Sequence, residues 1–123
     1  MKKYAILKEP VPMNNYGDLI KKIMLYSRRK EGVYLFLYTT VDEYGQCCAD
    51  HWFDDLQFAE DTVREEYGVG AEDWVFIDDP LPHCQHDSIH PVRVKGRIDG
   101  NPIWGELEIF NGTEWIDFTP STE

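Results

Sequence analysis

Val92-Arg93-Val94-Lys95-Gly96-Arg97-Ile98-Asp99-Gly100-Asn101-Pro102-Ile103-Trp104-Gly105-Glu106-Leu107-Glu108-Ile109 reads as two strands folded back on one another. Gly100-Asn101 supplies the positive φ that a two-residue hairpin turn requires. With Asp99 facing Pro102, Val92, Val94 and Ile98 lie opposite Ile109, Leu107 and Ile103 on one face. On the other face Arg93, Lys95 and Arg97 lie opposite Glu108, Glu106 and Trp104. One face is therefore core and the other ionic, with Arg97 in reach of Trp104 for stacking. Asn111-Gly112 marks a second turn of the same kind, so the chain after Pro91 is expected to be a three-stranded antiparallel meander. The basic stripe at 93, 95 and 97 is already neutralised by facing glutamates, which argues against a nucleic-acid role.

Upstream, the apolar positions Tyr16, Leu19, Ile20 and Ile23, with Ser27, recur at helical spacing after a cap at Asn14 or Asn15. Asp18 near the start, Arg28-Arg29-Lys30 at the end and Gly32 as terminator complete the pattern of a first helix. Val33 to Thr40 is a β-branched and aromatic run expected to be a central strand, and Gln46 to Phe53 returns after a turn at Asp42 to Gly45. Asp54-Asp55-Leu56-Gln57 opens a second helix in the manner of a capping box. Leu56, Ala59, Val63 and Tyr67 form its buried stripe, Glu60 can pair with Arg64, and Gly68 ends it. Trp74 to Ile77 is a short strand. The expected fold is α+β: a mainly antiparallel sheet of about five to seven strands with two helices packed on one face.

The chain has 123 residues, which fits a single domain over 1–123 able to bury one core. Its 42% hydrophobic and 14% aromatic content is that of a globular protein. No run approaches transmembrane length, the apolar stretch after Met1-Lys2-Lys3 stops at Lys8, and three cysteines with Cys47-Cys48 adjacent suit reduced thiols. These features lead to the expectation of a cytoplasmic protein bound to neither membrane nor nucleic acid. The formal charge of −11 is unevenly spread: residues 42–79 hold thirteen acids against Arg64 alone, net −12, whereas residues 1–32 are net +5. Such a block attracts basic proteins or cations.

Three of the four histidines fall in His83-Cys84-Gln85-His86-Asp87-Ser88-Ile89-His90, a loop stiffened by Pro80, Pro82 and Pro91. His83, His86 and His90, with Cys84 or His51 as a fourth ligand, are the residue types and spacings that can hold zinc or another divalent metal. A Cys-His pair is the nucleophilic variant, with Cys84 or Cys47 as thiolate and Asp87 or Asp79 orienting the base. Gly68-Val69-Gly70 lacks the third glycine of a dinucleotide fingerprint, and Asn111-Gly112-Thr113, though a glycosylation sequon in form, reads as a hairpin tip.

No residue pattern identifies a family. The leading expectation is a non-enzymatic interaction module, inhibitor- or immunity-like, that binds a basic partner through Asp61, Glu65 and Glu66 of the second helix and the adjoining loop. Trp104 and Trp115, on the ionic face of the meander, are the expected partner or homodimer contacts. The alternative is a metal-binding protein or metal-dependent hydrolase built on the histidine loop.

Overall fold

Leu19–Arg28, within the segment expected to form the first helix, is a strand. The structure, a computed structural model, describes residues 1–13, 17–28 and 30–119. The expected cap at Asn14 or Asn15, together with Tyr16 and Arg29, lies outside the described residues. The reason for the difference is Ile23-Met24-Leu25-Tyr26, four consecutive residues that are all buried. A helix seated on one core would turn part of that run into water, whereas a strand covered on both faces takes it without a break. Among the described residues there is one α-helix rather than two, and the strands otherwise give the expected α+β class.

Contacts divide the chain into two compact units, Met1–Val41 with Cys47–Asp78, and Asp42–Gln46 with Asp79–Glu123. The first contains β1 (Lys2–Pro12), β2 (Leu19–Arg28), β3 (Gly32–Tyr38), β4 (Ala49–Phe53), α1 (Leu56–Tyr67), a 3-10 turn at Ala71–Asp73 and β5 (Val75–Ile77). The strands form one antiparallel sheet in the order β4-β3-β2-β1-β5. Ala5, Leu7, Ile23, Leu25, Val33, Leu35 and Leu37 make one face, and Ala59 and Val63 of α1 pack against it. Alternation sends Lys22, Met24, Tyr26, Phe36 and Tyr38 to the opposite face, where they too are buried. Lys22 is 0% exposed and holds its ammonium 4.4 Å from the Tyr38 ring centroid, a cation–π contact made strong by desolvation.

The second helix forms as its sequence implies, with the cap shifted by one residue. Asp55, not Asp54, accepts the Phe58 N–H at 2.7 Å, which leaves Gln57 out of the capping position and free to donate to Asp61 at 3.0 Å. Gly68 ends the helix at φ 70°, its N–H bonding to Arg64 O. The expected Glu60–Arg64 pair is replaced by two others: Glu60 reaches Lys3 of β1 at 3.3 Å, and Arg64 takes Asp61 at 2.6 Å.

β1 departs from regularity in the stretch that ends at Pro10, a residue with no N–H to give to the ladder. Ile6 pairs with Lys22 and Val11 with Ile20, so β1 spends five residues where β2 spends two, and Leu7 to Pro10 bulge out of register.

In the second unit β6 (Val92–Val94), β7 (Leu107–Phe110) and β8 (Trp115–Phe118) form the expected meander. Val92 faces Ile109, Arg93 faces Glu108 and Val94 faces Leu107, the register read from the sequence. The tip differs. Instead of a two-residue turn at Gly100-Asn101, Arg97–Asp99 makes a 3-10 turn, and the Asn101 N–H returns to Gly96 O at 2.9 Å. Gly96 has φ 78°, and a Cβ there would stand 2.1 Å from Asn101 O, so the wide loop depends on glycine at that point. The second turn is likewise displaced by one residue: Phe110 pairs with Trp115, and Asn111 Oδ1 accepts the N–H groups of Thr113 and Glu114, both at 2.9 Å. Among the described residues no helix is long and apolar enough to cross a membrane.

Replacing Ile23 by Ala should lower unfolding free energy by about 3 kcal/mol, whereas Lys21→Ala, two residues away and exposed, should change it by less than about 0.5 kcal/mol. Urea-unfolding midpoints of the two variants check that β2 passes from an exposed stretch into the core between these two positions.

Candidate functional site

The periodicity that buries Ala59 and Val63 fixes what α1 presents outward. Phe58, Asp61, Thr62 and Glu65 follow one another at i, i+3, i+4 and i+7 and so share a face, with Glu66 beside them. Phe58 is 61% exposed, although its ring keeps a tilted contact with Phe53, centroids 5.7 Å apart. Arg64 is tied to Asp61, and Glu60 and Asp73 are neutralised by Lys3 and Lys8. Among the described residues neither Glu65 nor Glu66 belongs to an ion pair, so two carboxylates stand beside an exposed aromatic ring.

At the C-terminal end of the same helix the β1 bulge opens a cleft of about 400 Å³, lined by residues 8–12 of β1 and by Glu66, Tyr67 and Gly68. Lys8 Nζ is 3.4 Å from Asp73 Oδ1. The Gly70 N–H, donating to Asp73 at 2.8 Å, is the main reason that this carboxyl lies below its usual range; slight burial opposes the effect and Lys8 adds to it. Tyr67 is pushed above the ordinary phenol value by burial first, then by Glu66 and Cys48. Cys48 Sγ approaches Met13 Sδ at 3.3 Å and donates to Leu37 O at 3.2 Å. Burial of this sulfur raises its pKa, a backbone hydrogen bond opposes the rise and Asp18 reinforces it, so Cys48 stays a thiol rather than a nucleophilic thiolate. Sequence reading missed the cleft; Pro10 and Pro12 within an otherwise strand-like segment were the available signal.

The histidine loop lies in the second unit. Leu81-Pro82-His83-Cys84 closes through a Cys84 N–H to Leu81 O bond of 3.0 Å, with proline in the second turn position and His83 at φ 67° in the third, the pattern of a type II turn. His83 is thereby held at an exposed tip while Cys84 is buried. His86 and Asp87 are half-buried. His90 stacks on Tyr44, centroids 4.5 Å apart, and its Nε2 lies 3.3 Å from Glu43 Oε2. His51 sits on the edge strand β4 of the first unit, opposite Leu35. Among the described residues no group of three or more His, Cys, Asp or Glu side chains is placed to hold a metal ion, so the structure does not gather His83, His86, His90, Cys84 and His51 into a ligand set. None of the three cysteines forms a disulfide.

The two tryptophans of the meander part company. Trp104 is 74% exposed on the wide loop, whereas Trp115 lies under Arg93, whose guanidinium carbon is 3.6 Å from the ring centroid. The expected Arg97–Trp104 stack is thus replaced by Arg93–Trp115, with Arg93 Nε also 2.6 Å from Glu108 Oε1. Lys95 pairs with Asp117, and that hydrogen bond is the chief reason its pKa is raised.

Two measurements follow from these contacts. Arg93 is 8% exposed, and its loss leaves Glu108 without its cation, so Arg93→Ala should cost about 3 kcal/mol in chemical unfolding, with Arg93→Lys in between. Because the folded-state pKa of Asp73 is depressed, its carboxylate stabilises the fold at neutral pH, and that contribution is lost as pH falls below the ordinary value of 3.8 toward the folded one. The acid-side decline in thermal stability should therefore be shallower in Asp73→Asn than in the natural chain. Comparison with protein-family models, with curated proteins and with solved structures finds no match to this chain.

Proposed function

We propose that the chain is a non-enzymatic binding protein that engages a basic protein partner through the outward face of α1. The observation that carries this reading is the conjunction of Glu65 and Glu66, outside any described ion pair, with the exposed ring of Phe58 on the same helix. Carboxylates steer a cationic surface and set the rate of encounter, while an aromatic side chain gives the short-range apolar contact that holds it. Asp61 belongs to the face as well, partly neutralised by Arg64. Trp104 is the corresponding exposed anchor of the second unit, and Trp115, under Arg93, is assigned to the framework. Among the candidate residues weighed for chemistry, the histidines are dispersed and the cysteine thiols are partly or fully buried or held protonated, which favours binding over catalysis.

The test is the association kinetics of a lysine- and arginine-rich peptide by stopped-flow fluorescence. Neutralising Asp61→Asn, Glu65→Gln and Glu66→Gln together should slow association by about tenfold at low salt, and the difference should shrink as ionic strength approaches about 0.15 M. His83→Ala with His86→Ala should leave the rate unchanged. Rates indifferent to both salt and the three acid substitutions would overturn the reading.

A further inference from the structure

We infer that the cleft between the β1 bulge and the C-terminal end of α1 is a subsite for one cationic side chain, a guanidinium or an alkylammonium; this rests on the proposed binding of a basic partner and gives that partner a specific point of attachment. Three independent features converge there. First, it is a half-open cleft with two walls: about 400 Å³ bounded by Lys8 to Pro12 on one side and Glu66 to Gly68 on the other. That volume lies within the range of small-ligand pockets and exceeds what one side-chain head group needs. Second, its charges favour a cation. Glu9 and Glu66 both line it, and the one basic residue in the lining, Lys8, has its ammonium directed to Asp73. The last residues of α1 form a wall, so the negative end of the helix dipole adds to the carboxylates. Third, the aromatic wall is Tyr67, a neutral phenol half-buried and packed against the core. A neutral ring beside carboxylates is suited to the face of a guanidinium, which stacks and donates hydrogen bonds in its own plane.

The bulge is what makes the site. If β1 ran in register with β2 from Ile6 onward, residues 8–10 would lie in the sheet and no second wall would face the helix end. Pro10 and Pro12 stiffen that wall, so little order has to be imposed when a side chain enters.

The experiment uses the full chain and three probes: Nα-acetyl-arginine amide, Nα-acetyl-lysine amide and Nα-acetyl-citrulline amide, the last being the uncharged isostere of the first. Amide chemical shifts are followed by NMR during each titration. Saturable shifts confined to Glu9, Val11 and Glu66 to Gly68 with the arginine or lysine probe, none with citrulline, and weakening of about fivefold in either Glu66→Gln or Glu9→Gln support the subsite. The arginine and lysine arms tell guanidinium from ammonium selectivity. Shifts spread along the outer face of α1, or equal responses to arginine and citrulline, would overturn the subsite while leaving salt-dependent peptide association intact. Saturable cleft binding in a chain that fails to associate with the basic peptide would uphold the subsite and overturn the partner reading.

Discussion

β2 hydrogen-bonds to β1 along one edge and to β3 along the other, and its residues 23–26 are buried whichever face they point to. The first unit depends on that double burial. Odd-numbered residues of the run complete the face on which Ala59 and Val63 settle, and once those two are seated, helical periodicity leaves Phe58, Glu65 and Glu66 outward. The even-numbered side brings Lys22 under cover as well, where the Tyr38 ring replaces part of the hydration that the ammonium gives up. The acidic face of α1 is thus placed by a strand it does not itself resemble.

How much was legible follows from the range of each interaction. The ends of α1 were readable, Gly68 as its stop and the N-cap to within one residue, because they are decided within four residues, and the β6–β7 register because complementary side chains must meet across a hairpin. β2 was misread because Leu19, Ile20 and Ile23 satisfy helical spacing while the deciding facts, pairing with β1 and β3 along both edges and burial on both faces, come from residues distant in the chain. The cleft was signalled only in part: Pro10 and Pro12 mark β1 as irregular, but the bulge itself is defined by register against β2 and its facing wall by residues more than fifty positions on. Arg93, rather than Arg97, covers a tryptophan because Gly96 lets the chain leave the ladder early and carries Arg97 and Trp104 onto the wide loop.

The acidic surplus of residues 42–79 looks uniform in sequence, but the fold sorts it. Asp55 caps a helix, Asp73 holds a turn, and Glu60 and Asp61 meet bases, each of them a structural use of charge. Glu65 and Glu66 belong to no ion pair among the described residues, which separates them from the carboxylates that cap, turn or pair within the fold.

The ends of the first sheet carry a further consequence. β5, at one edge, is three residues long, with Val75 and Phe76 exposed, and is followed at once by Asp78-Asp79-Pro80. A strand from another molecule laid along it would find few backbone donors, then two carboxylates, then a residue with no N–H at all. At this edge the exposed apolar side chains sit on a strand too short to offer a further strand more than a few backbone partners.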